Sequence, residues 1–152
     1  LKWTDFNPGL KRKKKQTISR AKNNLIKKGL LVTEDTQYGK VLRITDKGRE
    51  MLNREIILTQ QPARKKWDEK WRVIIFDIPE KRKATRNKLR NSLVSAGFIK
   101  VQNSVWVYPY PCEELISLLK ADFRIGKDVL YLIVDQLEGD SYLKQQFNLP
   151  NT

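Results

Sequence analysis

A chain of 152 residues holds one compact domain or two small ones, and its 39% hydrophobic content supplies a core, which excludes global disorder. With no histidine there is no His-based triad, no His general base and no His-ligated zinc, and the single Cys112 can form neither an internal disulfide nor a thiolate cluster. The net charge of +14 points to a polyanionic partner; residues 1–72 carry 20 Lys/Arg against 8 Asp/Glu, residues 73–152 only 11 against 9.

No signal peptide and no run of about 18 apolar residues is present, so no membrane partner is expected and a reducing cytoplasm is the expected location. Leu1 in place of a methionine points to a start further upstream. Residues 1–15 hold Trp3, Phe6 and Leu10 and then the basic run Lys11, Arg12, Lys13, Lys14 and Lys15. Thr17 and Ser19 can cap a helix over roughly 18–28, which Gly29 stops. At about 100° per residue, Ile18, Ala21, Lys22, Leu25 and Ile26 share one side of it. The other side presents Gln16, Arg20, Asn23, Asn24 and Lys27, side chains suited to base edges and phosphates.

Leu30 to Thr33 and Val41 to Thr45, separated by the Gln37-Tyr38-Gly39-Lys40 turn, predict a hairpin. Asp46 is expected to cap a last helix from Lys47 to about Leu58. Helix, hairpin, helix in this order resembles the second half of a winged helix-turn-helix. The likeness rests on the Ser19-Arg20…Lys28-Gly29-Leu30 run and the Leu42-Arg43-Ile44-Thr45-Asp46-Lys47-Gly48 run. It implies that the first helix enters the major groove of double-stranded DNA and that the hairpin, with Tyr38, Lys40 and Arg43, meets the neighbouring backbone. It also implies an N-terminally truncated domain. A winged helix used for protein contacts is the alternative.

Residues 59–70 are polar, basic and punctuated by Pro62, and read as a linker between a domain at 1–58 and another at 71–152. In the second domain strands are expected at about 72–78, 98–102, 104–109 and 128–135, with helices at about 80–96 and 112–121. The middle two strands form either a tight hairpin or one bent strand. This order suggests a ferredoxin-like split βαβ sheet with two helices on one face, an α+β protein overall. Leu89, Leu93 and Val94 are expected to turn inward, as are Leu115, Ile116, Leu118 and Leu119. Arg82, Arg86 and Arg90, four residues apart, form a stripe that is either a solvated face or a second surface for DNA or for dimerisation. Trp106, Tyr108 and Tyr110 alternate, and can stack on bases or pack.

Phe76-Asp77-Ile78-Pro79, Arg82, Arg86, Gly97-Phe98 and Val101-Gln102-x-Ser104-Val105-Trp106 resemble the CRISPR-associated Cas-two family. Trp67-x-x-Lys70-Trp71-Arg72 and the run from Val107 to Glu114 are more similar to the central domain of PaaX-type transcriptional repressors, which also place a winged helix before a Cas-two-like domain. The Cas-two resemblance implies a homodimer through residues 71–152 and, if nuclease chemistry is retained, Asp77 as ligand to Mg or Mn. The structural alternative has Asp77 serving the turn before the helix. The PaaX resemblance implies a DNA-binding transcriptional regulator, a repressor that needs no cofactor, with the winged helix reading DNA. The rival is a metal-dependent nuclease or CRISPR-adaptation scaffold with Asp77 as its catalytic residue. A membrane- or RNA-binding adaptor is a third class that the charge allows.

Overall fold

A computed structural model describes residues 8–61 and 65–150, with residues 8–17 described by their backbone. In chain order the elements are α1 (Pro8–Lys27), β1 (Leu31–Thr36), β2 (Gly39–Ile44), α2 (Asp46–Gln60), β3 (Trp71–Phe76), a 3-10 turn (Glu80–Arg82), α3 (Lys83–Ser95), β4 (Ile99–Gln102), β5 (Val105–Tyr108), α4 (Glu113–Phe123), β6 (Val129–Val134) and α5 (Ser141–Gln146). Helix α1 begins ten residues before the expected start, so Thr17 lies inside it rather than at its cap. The segment read as a linker is entered by helix, because α2 runs on through Thr59 and Gln60. The chain divides into two compact units: residues 1–52 with 113–124, and residues 53–112 with 125–152.

The first unit is built where α1 ends. Gly29 takes φ +75, a left-handed conformation that costs glycine little. It closes the helix with a Gly29 N–H to Ile26 carbonyl bond of 3.0 Å and a Leu30 N–H to Leu25 carbonyl bond of 2.9 Å. Strands β1 and β2 pair antiparallel from Leu31↔Ile44 to Thr36↔Gly39. Thr45, not Asp46, caps α2: its Oγ1 accepts the Gly48 N–H at 3.0 Å while its hydroxyl donates to the Gly29 carbonyl at 2.8 Å. Gly48 is required for this approach, since a Cβ there would lie 2.1 Å from the Leu30 carbonyl oxygen and 2.7 Å from Ile44 Cγ1. The Ile44-Thr45-Asp46-Lys47-Gly48 string is therefore a close-packing device that locks the second helix onto the end of the first.

One element of this unit was not expected in it. Helix α4 packs against α1 and β2. Leu115, Ile116, Ser117, Leu118 and Leu119 are all buried, so α4 has almost no solvent side, unlike a helix that lays one stripe on a sheet. Lys28 pairs with Glu114 and Arg49 with Asp122 around it.

In the second unit the sheet has the strand order β4-β5-β3-β6. All three neighbouring pairs are antiparallel. Strands β4 and β5 are two strands of a tight hairpin, with an irregularity between Lys100 and Gln102. Central β3 is buried on both faces: Trp71, Arg72, Val73, Ile74 and Phe76 are all buried. Trp106, Tyr108 and Tyr110 are buried too, which makes packing their role. Tyr108 stacks on Phe98 and donates its hydroxyl to the Thr59 carbonyl at 2.6 Å. Val94 departs from expectation: Leu89 and Leu93 turn inward, but Val94 is 60% exposed. One residue beyond Leu93 it has rotated about 100° off that stripe.

The segment ahead of β3 is tied down by a buried arginine. Arg72 is 3% exposed. Its guanidinium donates to both carboxylate oxygens of Asp68 at 2.7 Å and to the carbonyls of Lys70 and Pro109 at 3.1 and 2.9 Å. This bidentate bond holds the Asp68 carboxyl below its ordinary range. Trp67 and Trp71 pack ring to ring at 5.0 Å, and Trp71 donates its indole N–H to Asp140 at 3.0 Å. The short helix α5, which the sequence did not announce, brings Phe147 against Trp71.

Candidate nucleic-acid interface

In α1, Ala21 and Leu25 are buried and Ile18 and Ile26 are half-buried. Arg20, Asn23, Asn24 and Lys27 are all exposed, as is Lys22, which the apolar side was expected to include. None of Arg20, Asn23, Asn24 or Lys27 makes a side-chain hydrogen bond or ion pair among the described residues. The helix thus presents an exposed basic and amide stripe, and amides and guanidinium groups are the types that bond two atoms of a base edge at once. Gln16 and the run Lys11, Arg12, Lys13, Lys14 and Lys15 share the backbone of α1, but their side chains lie outside the described residues.

The hairpin ends in a two-residue tip, Gln37-Tyr38. Thr36 fixes it: its hydroxyl donates to the Gly39 carbonyl at 2.7 Å and accepts the Tyr38 N–H at 3.2 Å. Tyr38 is 90% exposed and Lys40 is exposed beside it. Arg43 is different. It is half-buried and ion-paired with Glu34 on the neighbouring strand, a partner the sequence reading missed. The spacing of an acid and a base across a predicted hairpin was the signal that could have found it.

Around Asp77 the chemistry is of another kind. The residue is exposed, and its backbone N–H donates to the Asp128 carbonyl at 2.9 Å, extending the β3–β6 pairing by one rung. Its backbone partner Asp128 and the following Glu80 are paired with arginines: Asp128 lies 3.8 Å from Arg82, and Glu80 accepts from Arg86 at 3.0 Å. Among the described residues no group of three or more His, Cys, Asp or Glu is placed to hold a metal. Among the described residues of one chain, the oxygen set that Mg or Mn takes is therefore not assembled around Asp77. Arg82, Arg86 and Arg90 are each half-buried, so the stripe lies beside the buried residues of α3 instead of on its open face. The exposed cations of this region are Lys81, Lys83 and Lys88. No helix among the described residues is long and apolar enough to cross a membrane.

The features taken together are those of a mixed α and β protein with an exposed polar helix face and an exposed hairpin tip. Residues 64–145, more than half of the chain, match the PaaX protein central Cas2-like domain, and the protein belongs to that family. Residues 9–68, which span α1, the hairpin and α2, match the RQC domain. No curated protein matches the chain.

Proposed function

We propose that the protein is a DNA-binding transcriptional regulator of PaaX type, acting as a cytoplasmic repressor. The observation that carries this reading is the stripe of Arg20, Asn23, Asn24 and Lys27 on α1, exposed and without internal partners among the described residues. The order helix, hairpin, helix supports a winged helix, with α1 in the major groove and Tyr38 and Lys40 on the adjacent backbone. Lys11, Arg12, Lys13, Lys14 and Lys15 extend α1 in the N-terminal direction and would add sequence-independent attraction to phosphates.

The strand order supports a ferredoxin-like sheet, and its role in this reading is to pair two chains through residues 71–152. On edge strand β6, Leu130 is 62% and Leu132 37% exposed. The register sets Leu130 opposite Ile75 and Leu132 opposite Val73, so both lie on one face of the sheet. An exposed apolar strip on an edge strand is a surface that a second copy would cover. Two α1 helices in such a homodimer would address a two-fold operator.

Selection of bound sequences from a random duplex pool tests the reading. A reproducible, two-fold symmetric motif is expected, and failure to enrich any sequence overturns it. No cofactor is required in this reading. The same protein should leave DNA and RNA uncut in magnesium or manganese, and Asp77→Asn should bind the selected motif as the natural chain does. Metal-dependent cleavage that Asp77→Asn abolishes would instead establish the nuclease.

A further inference from the structure

The hairpin placed to meet the DNA backbone carries its own counter-charge. In the β1–β2 ladder Val32 stands opposite Arg43 and Glu34 opposite Val41. Glu34 and Arg43 are therefore diagonal neighbours on one face, within reach of each other's long side chains. They form an ion pair there. Val32 and Val41, on the same face, are exposed, so this is a solvent face of the hairpin. Asp35 and Lys40 stand opposite each other in the ladder, on the other face. From Leu31 to Ile44 the charged residues are Glu34, Asp35, Lys40 and Arg43, so the hairpin has no net charge in a chain of net charge +14. A guanidinium paired with a carboxylate attracts a phosphate less strongly, because the carboxylate offsets its charge and occupies the edge that its Nε presents.

We propose that Glu34 is an internal competitor of the DNA phosphate for Arg43, and so sets how strongly the hairpin holds any duplex. The inference rests on the DNA-binding function proposed above. A phosphate carries no sequence information. Glu34 therefore lowers affinity for all duplexes alike and leaves the choice of sequence to α1.

Titration of the full chain against a labelled duplex of arbitrary sequence, over a range of salt concentrations, tests this. Glu34→Gln should tighten binding about three- to tenfold at about 0.1 M salt and steepen the log–log salt dependence by about 0.9, one added phosphate contact. Its melting temperature should be that of the natural chain. Arg43→Ala should weaken binding little in the natural chain and should cancel the whole gain in the Glu34→Gln chain. That cancellation is what a merely structural Glu34 would not produce. An unchanged affinity and salt slope in Glu34→Gln overturns the inference, as does a gain that survives Arg43→Ala. If the natural chain binds no duplex at any salt concentration, the proposed function itself falls. If it binds and Glu34→Gln leaves binding unmoved, only the role of Glu34 falls.

Discussion

Helices α1 and α3 are both rich in cations, yet they place them differently. In α1 the polar stripe stands away from the buried Ala21 and Leu25, and its side chains are exposed. In α3 and the turn before it, Arg82, Arg86 and Arg90 are half-buried, with Asp128 and Glu80 as partners of the first two. A spacing of four residues advances about 40° around a helix. Arg86 and Arg90 consequently fall beside Leu89 and Leu93, not opposite them. Periodicity says that cations share a side, and only their position relative to the apolar stripe says whether that side is open. Arg72 is the extreme case, a cation wholly taken up by the fold.

Variants of these arginines should separate the two uses, and Arg72→Ala should have the largest effect. It removes four hydrogen bonds from a buried guanidinium and should lower stability by about 2–3 kcal/mol, read from denaturant midpoints. Asp68 is half-exposed and rehydrates, which keeps the loss below that of a fully buried pair. A midpoint within experimental error of the natural chain would show that the Asp68–Arg72 fork is not holding the segment.

Arg20→Ala and Asn23→Ala should weaken binding to the selected DNA motif by about 1–3 kcal/mol each, with unchanged melting temperatures. If affinity is retained in both, the exposed stripe on α1 is not the reading surface. Arg86→Ala should do the reverse on a smaller scale. Its partner Glu80 is largely exposed, so the stability loss should be at most about 1 kcal/mol. DNA affinity should scarcely move; a large loss of affinity would return α3 to the interface.

The smallest effect is a dependence on pH. Asp68 is held below its ordinary value of 3.8 by the bond from Arg72. Its contribution to stability is therefore complete above the unfolded value and is lost as pH falls below it through the lower folded value. Melting temperatures measured from neutral to strongly acid pH should diverge between the natural chain and Asp68→Asn in the neutral range and converge in acid. A constant difference at all pH values would mean that the charge on Asp68 contributes nothing.

Much of this protein could be read before folding was considered. The stop at Gly29 was legible because left-handed backbone after a helix calls for glycine. The strand at β3 was legible because Trp71 to Phe76 is a short run of apolar residues interrupted only by Arg72. The polar stripe of α1 was legible because 3.6-residue periodicity separates it cleanly from Ala21 and Leu25. These are local properties, fixed by backbone sterics and by the spacing of side chains along one element. The cap at Thr45 was misplaced by one residue because Asp46 is an equally good capping type, and only the nearness of the Gly29 carbonyl selects the threonine. Tertiary structure alone decided that α4 packs with α1 and β2, that Val94 turns outward and that Glu34 takes Arg43. It also decided that the acids near Asp77 answer to Arg82 and Arg86. Each of these is set by which residues meet across gaps in the sequence, and residue spacing within a single element carries no record of that.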